Sequence, residues 1–435
     1  MPLGAYARTV QSAIYRAGAL GRRPLVPTDG ARLEAAAQRA MTRTGFAYVA
    51  GSAGSEATAR ANRQAFDRWS VVPRMLVDSS ERDTSVELFG RRHDSPLFLA
   101  PIGVLSAAHR HGDLAVARAA RDQAVTHVIS TQASTPMEAI ARVLAGAGHW
   151  YQLYWSSDDD LVASLVGRAV ACESEALVVT LDTAHLGWRP RDLDLGHLPF
   201  ALGAGIAQYT SDPVFRRLVA DRVASASQDP APEATPRPRP TPTALRTLLS
   251  LSRNHPGSTR RNLTAREPRA AVETFLDVFS RPRLTWAHLP RLRELSTLPV
   301  VVKGVLHPDD ARRAIDLGVD AVYVSNHGGR QVDHSIAALD ALPDVVAAVR
   351  SASPTMPVLF DSGIRTGADA FMALALGATA VGIGRPHVYG LALAGSDGVA
   401  EVLRNIRAEL DLTMALTGCR TLGDVTPDLL VRRPC

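Results

Sequence analysis

Apolar residues recur along this chain in short runs, each closing on small or polar residues. Pro96–Ala100 ends in Pro101-Ile102-Gly103, and Val125–Ser130 ends in Ser130-Thr131-Gln132. Trp150–Trp155 carries Gln152 and Tyr154, and Ala176–Asp182 carries Thr180 and Asp182. Leu298–Lys303 ends in Lys303-Gly304, and Ala321–Ser325 leads into Ser325-Asn326-His327-Gly328-Gly329-Arg330. Pro357–Phe360 leads into Asp361-Ser362-Gly363-Ile364-Arg365, and Ala378–Ile383 into Gly384-Arg385. Short runs that are apolar throughout read as strands buried on both faces. Between them lie helical segments with legible ends. Ser157 precedes three aspartates, Pro308-Asp309-Asp310 opens a segment that Gly318 closes, and Thr366 and Gly377 bracket another. Eight strands alternating with helices predict an α/β fold, a (β/α)8 TIM barrel over residues 96–435. The C-terminal ends of its strands form the functional face.

Residues 1–95 read as an N-terminal helical segment packed on that barrel. There the small-residue run from Phe46 to Glu56 precedes a helical stretch containing Asn62-Arg63-Gln64-Ala65-Phe66. Tyr48 in that run reads equally as a core tyrosine or as a phenol beside open space. The alternation breaks once, between Asp182 and Leu298. Residues 205–282 are expected to form an insertion after strand 4, a lid or mobile loop rather than a second domain. Within it Gln228–Thr243 holds six prolines and reads as a disordered or extended linker.

Composition narrows the class. The 435 residues are 46% hydrophobic and 21% charged, which suits a chain with a full core. No apolar run is long enough to span a bilayer. Four arginines precede the first acid, Asp29, without the apolar centre of a secretory signal, so a native leading segment is expected over a transit peptide. Three cysteines without metal-ligand spacing give neither a disulfide framework nor a metal site, and a cytoplasmic setting is the default. The net charge of +5 is local: Pro236–Arg269 holds eight arginines and one acid, leaving the remainder slightly acidic. That distribution argues against nucleic acid as a partner.

The strand ends carry the chemistry. An imidazole and a guanidinium stand three residues apart in Ser325–Arg330, where two glycines permit close backbone approach. Histidine exchanges protons near neutral pH, and an arginine fork matches a carboxylate. Gly363-Ile364-Arg365 and Gly384-Arg385, on the last two strands, lie where barrels bind phosphate. Ser130, Gln152, Thr180 and Lys303 would point inward as a polar ring for a planar cofactor. Phosphate with such a ring points to flavin mononucleotide, FMN. No strand-linked Gly-x-Gly-x-x-Gly opens a helix for a nicotinamide cofactor.

From about Phe46 to Thr421, the insertion apart, the chain resembles the FMN-dependent 2-hydroxy-acid oxidising enzymes, whose signature is matched by Ser325–Arg330. Gly187–Leu193, His307–Arg313 and Leu359–Gly367 resemble the lactate 2-monooxygenase subgroup, as does the N-terminal segment. The resemblance implies His327 as active-site base, oriented by Asp182. It implies Tyr48, Arg189 and Arg330 on the substrate carboxylate and Tyr154 on the substrate oxygen. Lys303 would lie at the flavin N1–O2 edge, with Pro101, Ile102 and Gly103 against the ring. Ser325, Asp361, Ser362 and Gly363 join the cofactor set, with Arg365, Gly384 and Arg385 on the phosphate. The implied reaction takes a small L-2-hydroxy acid and O2. Glycine at 103, where oxidases carry alanine, would leave room near the flavin and favour retention and oxidative decarboxylation of the keto acid. The alternatives are an oxidase releasing keto acid and peroxide, or a dehydrogenase, acting on a larger acid. Gln132 stands where relatives carry a large apolar or aromatic residue. The family likeness also implies a homotetramer or homo-octamer.

Overall fold

The computed structural model describes residues 6–228 and 241–433. Eight parallel strands close a barrel: β1 Leu97–Leu99, β2 Thr126–Ser130, β3 His149–Leu153, β4 Leu177–Thr180, β5 Val300–Val305, β6 Ala321–Val324, β7 Val358–Phe360 and β8 Ala380–Ile383. The ring closes where β8 lies beside β1, with Val381 opposite Leu97. Each strand lies within two residues of the apolar run that predicted it. Helix starts follow local chemistry. The His307 side chain accepts from the Asp309 amide, and Thr366 and Asp369 cap each other. Asp158, rather than Ser157, caps Asp159–Ala171.

Side chains alternate between the two faces of a strand, and here that alternation builds layers. Phe98, Val128, Trp150, Val178, Val301, Tyr323, Leu359 and Ala380 meet inside the barrel. Outward residues such as Leu99, Ile129, Leu153, Val179, Val302, Val324, Phe360 and Ile383 join the larger core under the helices. Phe98 stands edge-on to Tyr323 at 5.5 Å. Beneath it a hairpin, Val86–Leu88 with Arg91–His93, turns through Phe89 and Gly90, both at positive φ (53° and 77°). The turn sets Phe89 5.3 Å from Trp150 and plugs that end of the barrel with hydrocarbon. Two residues further along each strand direction, the inward positions become Ala100, Ser130, Gln152, Thr180, Lys303, Ser325, Asp361 and Gly382. The interior changes there from apolar to polar.

Among the described residues four helices precede the barrel: α1 Tyr6–Ala19, α2 Gly30–Ala40, α3 Arg43–Ala50 and α4 Ala57–Asp67. The first two pack on the long helix Arg385–Thr417. α3 and α4 contribute groups to the open end of the barrel. The insertion after β4, read as a lid or mobile loop, carries secondary structure of its own. Its described parts are largely helical, chiefly Pro213–Gln228, Pro242–Asn254 and Glu267–Val278. Phe215 and Phe275 are fully buried, and Tyr209 packs edge-on to both. Pro213–Gln228 and Glu267–Val278 are each anchored by one buried phenylalanine, and these meet at Tyr209. Most of the proline-rich linker, residues 229–240, lies outside the described residues.

Burial holds His127, His149 and His387 in the neutral form, the first and last most strongly. Burial, reinforced by His387 and His149 nearby, pushes His127 down to about 3, and burial pushes His387 down to about 4. A depressed imidazole stabilises the fold fully above its ordinary value near 6.5 and loses that contribution as pH falls toward the folded value. Stability to urea should therefore decline from pH 6.5 to 4.5. The decline should be shallower in His127→Leu by up to about 1.4 kcal/mol per pH unit. Identical slopes in the two proteins would exclude His127 as a source of acid sensitivity.

Candidate active site

The polar layer at the barrel mouth forms two bonded arcs. In one, Ser130 Oγ donates to Gln152 Oε1 at 3.2 Å and Gln152 Nε2 donates to Thr180 Oγ1 at 3.0 Å. These three residues are buried beneath the cavity wall rather than on it. In the other, Lys303 Nζ donates to Ser325 Oγ at 2.9 Å, and Ser325 donates to Asp361 Oδ1 at 2.5 Å. Tyr323 donates to Asp361 Oδ2 at 2.8 Å. Lys303 is 3% exposed, 3.7 Å from Asp361 and 4.0 Å from Asp182. It is also the only lysine in a chain otherwise supplied with arginine, so its singular place is marked in the amino-acid sequence too.

His327 follows Asn326 in the turn after β6, with a left-handed φ of 57°. Its Nδ1 lies 2.7 Å from Asp182 Oδ1. Thr183 Oγ1 donates to the same carboxylate oxygen at 2.8 Å. Burial alone would raise Asp182, but His327 and Lys303 together hold its carboxyl far below the usual range. Burial lowers His327 below 6.5, with Asp182 opposing the shift. An ionised carboxylate only accepts, so Nδ1 carries the hydrogen of a neutral ring. Nε2 is then the nitrogen available to take a proton at the cavity.

Cations gather across from it. Arg189, 8% exposed, donates through Nε to the Arg330 carbonyl at 3.2 Å and through Nη2 to Gln331 Oε1 at 3.0 Å. Burial and Arg330 lower it to about 10, so it stays charged at neutral pH. Arg330 Nη1 donates to the Tyr48 and Gly51 carbonyls, and its guanidinium sits 5.0 Å over the Tyr48 ring. Burial pushes the Tyr48 and Tyr154 hydroxyls upward, keeping both as donors.

These groups share one cavity of about 950 Å³, counting its open mouth. Tyr48, Tyr154, Arg189, His327 and Arg330 line one part. Pro101–Gly103, Gln132 and Lys303 line the middle, and Asp361–Arg365, Gly384 and Arg385 the remainder. Asp182 and Ser325 lie behind the wall, acting on it through His327 and Lys303. Gly328, one of the two glycines of the signature turn, lines it too, as do Val49, Ala100, Thr183, Leu186, Ile364 and Gly382, which were not singled out from sequence. Ala100 and Gly382 follow from the strand alternation. Leu186, on the chain leaving β4, carries no such signal.

The residues suit a flavin mononucleotide. Arg385 opens the helix Arg385–Thr417, placing a helix N-terminus at the phosphate end. It donates to the carbonyls of Val49, Gly51 and Gly328 and to Ser52 Oγ. Among the described residues neither Arg365 nor Arg385 has a carboxylate within ion-pair distance, so their charge is left for an anion. A Cβ on Gly384 would meet nothing within 4 Å, so the backbone is open there. Gly103 differs from expectation. A Cβ there would lie 2.7 Å from Gln132 Cβ and 2.9 Å from its carbonyl oxygen. The missing methyl gives space to the Gln132 loop, which fills it, and leaves no void.

Comparison with known proteins agrees with this geometry. The family model described as FMN-dependent dehydrogenase matches residues 37–432. An FMN-dependent alpha-hydroxy acid dehydrogenase of Penicillium citrinum is 38% identical over 97% of this chain and 95% of its own length. An L-lactate oxidase of Lysinibacillus sphaericus is 38% identical over 93% of each chain. A mandelate oxidase structure with (S)-4-hydroxymandelic acid superposes with a TM-score of 0.74, at 34% identity over 94% of this chain and 99% of that one.

The depressed His327 fixes a pH dependence. With His327 as base, kcat/KM should fall on the acid side with a midpoint below 6.5, since only the neutral ring accepts a proton. Asp182→Asn should lower kcat about a hundredfold or more. Steady-state rates from pH 4.5 to 8 check both, and an acid midpoint above 6.5 would contradict the assignment.

Proposed function

The chain belongs to the FMN-dependent dehydrogenase family, and from that premise we propose that it oxidises an L-2-hydroxy acid to the 2-keto acid, with oxygen as the final acceptor. The carrying observation is the meeting, in one cavity, of a base oriented by a half-buried carboxylate with two arginines suited to a carboxylate. Arg189 and Arg330 hold the substrate's carboxylate, with Tyr48 as a further donor. Tyr154 bonds the substrate oxygen, and His327 Nε2 takes the proton that leaves. Asp182 stabilises the resulting imidazolium. Arg365 and Arg385 would hold the phosphate of FMN and Lys303 would serve its ring; bound there, the cofactor would supply the two-electron acceptor that oxygen regenerates.

Release of keto acid and peroxide is the product outcome we favour, because the space expected beside Gly103 is filled by Gln132. The relatives named above as oxidases support it. Retention of the keto acid and its oxidative decarboxylation is the second reading, favoured by the likeness of Gly187–Leu193, His307–Arg313 and Leu359–Gly367 to lactate 2-monooxygenase. Gln132, 7% exposed and on the wall, offers an amide where a purely apolar side chain would find no partner.

The holoenzyme in air-saturated buffer, given L-lactate and a panel of larger aliphatic and aryl 2-hydroxy acids, separates these outcomes. Keto acid and peroxide in equal amounts are expected. A shortened acid with little peroxide would establish the second reading, and reduction with slow oxygen uptake would make the protein a dehydrogenase. Absence of flavin bleaching with every acid would sink the proposal. Gln132→Leu should shift relative kcat/KM toward apolar side chains by about tenfold, the value of one buried polar contact, without altering flavin content. Unchanged ratios would take Gln132 out of recognition.

A further inference from the structure

The stretch Asn62-Arg63-Gln64-Ala65-Phe66 has no part in the chemistry above and lies on α4, outside the barrel. One turn of that helix nevertheless reaches both strained turns at the cavity. Asn62, 2% exposed, pairs reciprocally with Asn326: each Nδ2 donates to the other's Oδ1, at 2.8 and 2.7 Å. Asn62 Oδ1 also accepts from the Ala338 amide at 3.0 Å, and Asn326 Oδ1 from the Gly329 amide at 3.1 Å. The pair therefore holds residues on both sides of His327. Between them three consecutive residues, His327, Gly328 and Gly329, have φ of 57°, 65° and 78°. A histidine in that region is strained and persists only where its surroundings fix it.

The neighbouring side chain serves the other turn. Arg63 Nη1 donates to the Gly363 carbonyl at 2.5 Å and to Asp369 Oδ2 at 2.7 Å. The same Asp369 oxygen accepts from the backbone amides of Arg365 and Thr366, at 2.8 and 3.0 Å. Gly363, at φ 108°, is packed so closely that a Cβ would lie 2.7 Å from the Asn62 carbonyl and 2.9 Å from the Phe66 ring. Ser362 Oγ, accepting from the Asn326 and Gly328 amides, joins the two turns.

We propose that α4 is a two-pronged brace, in which Asn62 positions His327 through Asn326 and Arg63 positions the phosphate-end turn through Gly363 and Asp369. Both are positioning residues, and the first role rests on His327 being the base. Misplacing a reacting group by about 1 Å costs about a hundredfold in rate, whereas loosening a phosphate turn costs cofactor affinity.

The test compares holoenzymes of wild type, Asn62→Ala, Asn62→Asp, Arg63→Met and His327→Gln by rapid-mixing flavin reduction, flavin loss on dilution and melting temperature. Asn62→Ala should slow reduction about a hundredfold with little change in flavin loss. Asn62→Asp, which keeps the acceptor for Ala338 should the alanine variant not fold, should behave alike. Arg63→Met should raise the FMN dissociation constant about tenfold, the value of one charge-assisted bond, with rate recovered on adding FMN. Parallel loss of rate, flavin and melting temperature in both variants, or no loss in either, would overturn the brace. Near-normal reduction by His327→Gln would instead overturn the base assignment on which the first prong rests.

Discussion

A single ammonium group in the barrel mouth sets the terms for everything around it. Lys303 is almost wholly out of water, and a buried cation survives only with compensating charge and satisfied hydrogen bonds. Asp361 and Asp182 stand on either side of it, and Ser325 takes one of its hydrogens. Each carboxylate then does a second task. Asp361 gathers the hydroxyls of Tyr323, Ser325 and Ser362, tying β6 to the turn after β7. Asp182, kept ionised by the lysine, orders the imidazole of His327. Lysine suits the place better than arginine because a compact ammonium serves three directions from one atom.

The charge balance of the cavity extends from there. Among the described residues the cations Lys303, Arg189, Arg330, Arg365 and Arg385 line the cavity, while Asp361 is the one carboxylate on its wall, with Asp182 behind it and Asp192 and Glu34 further off. The surplus positive charge is spread over two ends, one beside His327 and one at the start of the helix Arg385–Thr417. These separate surpluses suit two separate anions. Beside His327 the buried tyrosines Tyr48 and Tyr154 lower the local dielectric and strengthen such an attraction.

Much of this was legible in the sequence because a parallel barrel is a periodic object. Runs buried on both faces marked all eight strands, and polar residues two positions beyond the inward apolar ones marked the mouth. Ser130, Gln152, Thr180, Lys303 and Asp361 all obey that spacing. Less legible was whether such a residue faces a ligand or a neighbour: Ser130, Gln152 and Thr180 satisfy one another beneath the wall. The helices of the insertion were obscured because arginine and proline dominate its composition, while three buried aromatics, Tyr209, Phe215 and Phe275, pack together from three separate helices. Residues spread over separate helices form no periodic pattern. Asn62 and Arg63 were visible as letters without a task, since their partners lie some three hundred positions away.

Gly103 shows how a residue choice can be right and its reason wrong. Its glycine is required by close approach of the Gln132 loop, whose carbonyl accepts from the Val104 amide at 2.8 Å. That loop is held from behind as well. Gln208, fully buried, accepts from the Met137 amide at 2.9 Å and donates to the Thr135 carbonyl at 3.2 Å. Asp113 accepts from the Ser134 amide at 2.9 Å. With backbone groups fixed from three sides, the loop has little freedom to retreat, and a methyl at 103 has to be accommodated by shifting the wall itself. Gly103 and Gln132 thus form one packing unit. The width of the middle of the cavity and the polarity of its wall there are set by the same contact.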